Sequence, residues 1–234
     1  MRIWFACFIY TLVSWLSGAA LADTVADKPR LAVAIAGAPA PFLTSLGTKL
    51  TATRRFVVVD GPAAKAKLKG VPLNADLTLE NARKARTAAN IELLVDGKYE
   101  NAGNQLRVTV RLFDFRTGEF SRDLGLLGEG SAAETLADQL VSFIRHADPL
   151  RCRVKDIDED QIILDLGEVD GVRPGSLWRV FRFPGNVKPK ELGTLRVTTV
   201  QPFAARAEAE QVAPGTVFER GDVLVEQTSG LLFP

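Results

Sequence analysis

The chain has 234 residues, 47% of them hydrophobic and 24% charged, an ordinary globular balance. Its 29 Lys and Arg nearly cancel its 28 Asp and Glu, so no global field draws it to nucleic acid or anionic lipid. Two cysteines and one histidine exclude a zinc site built from Cys and His alone.

Met1 and Arg2 open the chain, and an uncharged apolar run follows from Ile3 to Trp15. Ser17, Gly18, Ala19 and Ala20 close it, and Ala20-Leu21-Ala22 fits a signal-peptidase site. The pattern predicts a signal peptide over residues 1–22, cut between Ala22 and Asp23. The alternative is an uncleaved anchor, since the run nearly suffices to span a bilayer. Cys7 lies inside the apolar run, and no Cys follows Ala22, so lipid attachment is not expected. No second long apolar run occurs, so no transmembrane segment is expected after cleavage.

The stretch 23–148 reads as a small α/β domain. Residues 31–36 form a short apolar strand, which Pro39 and Pro41 end. Phe42, Leu43, Leu46 and Leu50 then recur on one helical face. Phe56-Val57-Val58-Val59 is a β-branched strand closed by the turn signal Asp60-Gly61-Pro62. A short helix is expected over 63–69. A longer one is expected over 78–89, capped by Thr78. Residues 91–99 read as a strand and 101–104 as a hairpin turn. Leu106, Val108, Val110 and Leu112 then alternate with polar residues, the period of a half-buried strand. Arg116-Thr117-Gly118 turns the chain into a strand over 120–127. Ser131 and Glu134 have the spacing of a capping box, opening a helix buried through Leu136, Leu140, Phe143 and Ile144. Asp148-Pro149 stops it.

Beyond Pro149 no helical period remains. Six short strands are expected, at 152–157, 161–166, 177–183, 192–200, 204–211 and 223–227, separated by Gly, Asp and Pro. That texture predicts a small all-β barrel or SH3-like domain over 149–234. Paired turns at Asp170-Gly171 and Pro174-Gly175 should fold the strand ending at Leu166 back to the strand starting at Leu177. Cys152 reads as a small buried hydrophobe.

Residues 166–175 (LGEVDGVRPG), 192–201 (LGTLRVTTVQ) and 221–225 (GDVLV) resemble the C-terminal domain of flagellar assembly protein T, FlgT. Ser176 stands where that family often carries Asp, and either side chain can hold a turn. Residues 91–97, 110–119 and 131–146 are similar to the middle domain of FlgT, whose fold is shared with the N-terminal domain of TolB and with the curli secretion protein CsgG. The resemblance implies a non-enzymatic structural or assembly protein of a Gram-negative envelope machine, in the periplasm. It leaves association with the outer membrane or the flagellar basal body open. The alternative it implies is an accessory or binding module for a secretion channel or a cell-wall enzyme. Partners would be envelope proteins.

No constellation for catalysis, cofactor or metal stands out. His146 is the only histidine and sits in the last turn of a helix, where the dipole favours it; no nucleophile elbow accompanies it. Gly125, Gly128 and Gly130 do not have dinucleotide-fingerprint order. Asp156, Asp158, Glu159 and Asp160 lack the glycine and terminal Glu of a calcium loop, and Arg220-Gly221-Asp222 reads as a turn. One pattern suggests a partner-binding face. Acidic residues crowd 156–170, including Asp165 and Glu168, and basic residues crowd 173–196: Arg179, Arg182, Lys188, Lys190 and Arg196. On a barrel these form either opposite docking patches or pairs between adjacent strands. The apolar run 231–234 either frays or docks into another subunit.

Overall fold

The computed structural model describes residues 28–71, 73, 78–102, 105–121, 123–129, 132–183 and 189–228. The expected signal peptide with its Ala22–Asp23 junction, the expected cap Ser131, Lys188 and the tail 231–234 lie outside the described residues. Backbone contacts divide the chain into two units. One holds Lys28–Leu150 with Val169–Gly171, the other Arg151–Glu168 with Val172–Gln227. The class is α+β: a mixed sheet flanked by helices, and a closed six-stranded barrel.

In the first unit, β1 (Arg30–Ala36) lies parallel to both β2 (Val57–Asp60) and β3 (Leu93–Ala102). Parallel neighbours need crossovers. Helix α1 (Ala40–Ala52) supplies the first, and α2 (Gly61–Lys67) with α3 (Leu79–Ala89) the second. Strand β4 (Gln105–Asp114) returns antiparallel to β3. Its other edge takes β5 (Glu119–Phe120) and β6 (Leu124–Glu129). The sequence pattern predicts one strand over 120–127, and the structure divides it. Ser121 makes the break: its backbone N–H donates to Leu112 O, while its hydroxyl accepts from Leu112 N at 3.0 Å.

The period of two decides which side chains meet which helices. Leu31, Leu93, Val95 and Val108 face Phe42, Leu46 and Leu50 of α1 and Leu136, Leu140 and Ile144 of α4 (Ala133–Ala147). Ala32, Leu94 and Phe113 face the small residues Ala64, Ala82, Ala85 and Ala89 of α2 and α3. Burying one large aliphatic side chain contributes roughly 1.5–3 kcal/mol, so these two layers carry the unit.

The helix starts follow local chemistry. The Asp60 carboxylate caps α2 by accepting from Ala63 N at 3.0 Å, and Thr78 caps α3 by accepting from Asn81 N at 3.2 Å. A Cβ on Gly61 would sit 1.7 Å from Val33 O, so only glycine lets α2 start against β1. The expected turn at 60–62 is therefore the first turn of a helix. The capping box expected at the start of α4 rests on Ser131 and so lies outside the described residues. The helix begins after Ala132, and Glu134 in its first turn reaches Lys49 at 3.2 Å.

In the second unit all six expected strands form. They are β7 (Arg151–Asp158), β8 (Gln161–Leu164), β9 (Leu177–Arg182), β10 (Lys190–Gln201), β11 (Ala204–Val212) and β12 (Val223–Gln227). They close in the order β10-β11-β8-β7-β12-β9, every pair antiparallel, which removes sheet edges. Trp178, Val180, Leu195, Leu164 and Leu224 are buried. Gly171 and Gly175 take φ of 89° and 80°, as two tight turns require. These turns do not close a hairpin. Strand β8 lies between β11 and β7, while β9 lies between β12 and β10, so the turns carry the chain to the opposite wall. Ser176 ties this passage down: its hydroxyl donates to Arg173 O at 2.7 Å and accepts from the Trp178 indole at 2.9 Å.

Candidate partner-binding surface

The four described basic residues of the five singled out on the barrel, Arg179, Arg182, Lys190 and Arg196, do not share one fate. Arg179 on β9 donates to Glu191 on β10 at 2.9 Å and lies over the Phe181 ring, 5.0 Å from its centroid. Its hydrogen bonds to Glu191 are the main reason its guanidinium is held above the usual arginine range. Arg196 on β10 makes a two-point contact with Glu210 on β11, at 2.8 and 2.6 Å, and is raised for the same cause. Arg182 chelates Asp222 through Nε at 2.8 Å and Nη2 at 2.7 Å, and reaches Glu219 Oε1 at 2.7 Å and Val217 O at 2.9 Å. Lys190 opens β10 on an exposed position opposite Arg182, and no ion pair of it is found among the described residues.

The acidic group meets partners of its own. Asp156 accepts from Arg220 Nε at 2.9 Å, and Asp158 lies 3.3 Å from Arg206. Asp165 accepts from Arg153 N at 2.9 Å. Asp156 and Asp158 of the acidic group and Arg179, Arg182 and Arg196 of the basic group are therefore paired within the barrel. Of the basic set, Lys190 is the described member that keeps an outward charge.

Two constellations stand out by burial, and the sequence pattern marks neither. The first is Asp114, 2% exposed at the end of β4. It accepts from Arg116 N at 2.8 Å and from Arg116 Nη2 at 2.6 Å, and the same nitrogen donates to Asp148 at 2.7 Å. Burial works against the Arg116 charge. The field of Asp148 and the hydrogen bonds of Asp114 outweigh it and raise the guanidinium further above its usual range. This pair of carboxylates locks the turn after β4 to the end of α4. The second is Asp222, 4% exposed, which also accepts from Glu219 N at 2.8 Å and so shapes the loop before β12. The sequence signals were the turn Arg116-Thr117-Gly118 and the tripeptide Arg220-Gly221-Asp222. Both announce a turn, and neither announces its partner.

His146 lies in the last turn of α4, with Nδ1 2.9 Å from Thr228 Oγ1. Cys152 is buried. Among the described residues, no group of three or more His, Cys, Asp and Glu is placed to hold a metal, and no helix is long and apolar enough to cross a membrane.

One cavity is an open groove of about 630 Å³ between α1 and β2, lined by Leu43, Thr44, Gly47, Thr48, Thr51 and Val58 among others. A second, about 400 Å³, lies on the sheet face that α2 and α3 leave bare. Four of its charges pair with one another, Lys65 with Asp96 and Arg111 with Asp123 at 2.7 Å, and Lys98 and Glu100 also line it.

No family model and no curated protein matches the chain, flagellar assembly protein T included. Solved structures do match in part. TolB from Acinetobacter baumannii is 16% identical, with a TM-score of 0.39, over 77% of this chain and 38% of TolB. The chain thus spans well under half of that protein. The LpoB C-terminal domain from Escherichia coli is 20% identical with a TM-score of 0.30, over 50% of this chain and 93% of that one. Lipoprotein GNA1162 from Neisseria meningitidis is 12% identical with a TM-score of 0.33, over 51% and 99%. Identities and TM-scores this low make none of these chains a stand-in for this one.

Proposed function

We propose that this is a non-enzymatic envelope protein, working outside the cytoplasm by presenting folded surfaces to other envelope proteins. The observation that carries the reading is how its two most deeply buried carboxylates are used. Asp114 and Asp222, each nearly sealed from solvent, are bound by Arg116 and Arg182 into locks that shape loops. A catalytic carboxylate would instead stand in a cleft with its proton to give or take. The grooves are open to solvent, one lined largely by Thr, Gly and aliphatic side chains and the other by charges of which four are paired, which suits docking better than a water-excluded reaction. The leader pattern of residues 1–22, the Ala22–Asp23 junction and a periplasmic location belong to the same proposal, as does a domain boundary near Asp148.

Within it, the finer role is a structural or assembly part of an envelope machine such as the flagellar basal body, which the FlgT-like stretches of the barrel favour. The second role, an accessory module for a secretion channel or a cell-wall enzyme, is favoured by the TolB-like and CsgG-like stretches 91–97 and 110–119. Affinity capture from chemically crosslinked envelopes, read by mass spectrometry, separates the two. Basal-body proteins recovered in stoichiometric amount support the first, and channel or cell-wall proteins the second. Capture of cytoplasmic proteins alone contradicts both.

A further inference from the structure

We draw no further inference here: the strongest candidate, the apolar patch on the outer wall of the barrel formed by Phe181, Phe183, Val223 and Val225, carries none, because nothing among the described residues beyond Arg179 over the Phe181 ring shows what covers it.

Discussion

Arg182 and Asp222, forty residues apart in sequence, are joined by two parallel hydrogen bonds of 2.8 and 2.7 Å. The pair fastens β9 to the loop that leads into β12. Asp222 also receives Glu219 N, so one carboxylate satisfies three donors. Replacing Asp222 with Ala strands them, which costs about 1–3 kcal/mol. Chemical denaturation should show a lower midpoint with an unchanged slope. Glu219→Gln removes only the exposed arm of the network and should stay close to wild type.

The other lock should respond more strongly to loss of the carboxylate than to loss of its outer partner. Asp114→Ala leaves Arg116 facing Asp148 alone and empties a nearly sealed position. Asp148→Asn keeps the Asp114 contacts and weakens one bond. We expect thermal midpoints in the order wild type, Asp148→Asn, Asp114→Ala. The reverse order would assign the turn after β4 to Asp148.

Much of this was legible in the sequence, for reasons that differ by unit. The barrel strands were readable because short β-branched runs are cut by glycines at turns, and Gly171 and Gly175 do take positive φ. The helix capped by Thr78 was readable because its cap is local. The break at Ser121 was not, because it depends on a hydroxyl reaching Leu112 across the sheet. Nor was the contact of Glu134 with Lys49 on another helix, which no spacing rule contains. The charge crowding was visible, but which charges neutralise each other is set by register. Arg196 meets Glu210 only because β10 and β11 are neighbours.

Gly61 offers a sharp packing test. A Cβ there would lie 1.7 Å from Val33 O, so Gly61→Ala must push α2 off β1. Overpacking of this kind costs about 1–3 kcal/mol, and this contact belongs at the upper end. Gly215→Ala, with open space around the site but φ of 79°, should cost less. Equal midpoints for the two variants would contradict the close approach of α2 to β1.

Stability should fall with acid in a defined window. The Asp156 carboxyl is held below its usual range by Ile157 N–H and then Arg220. Glu134 is held down by Ser45 and Lys49, and Glu210 by Arg196. A group depressed in the folded state binds protons more readily when unfolded, so its contribution is present above the unfolded value and lost below it. The ordinary values are 3.8 for Asp and 4.5 for Glu, so the loss should begin near pH 4.5 and deepen as pH falls through the folded values. All these pairs are exposed, so added salt should shrink the effect. A stability that rises between pH 4.5 and 3 would contradict the pairing.

The account rests on surfaces offered outside the cytoplasm. Its most direct test is cell fractionation of the native host, with the N-terminus of the recovered chain sequenced. We predict a chain beginning at Asp23, released from the envelope and absent from the cytosol. An intact chain beginning at Met1 and free in the cytosol would contradict the account.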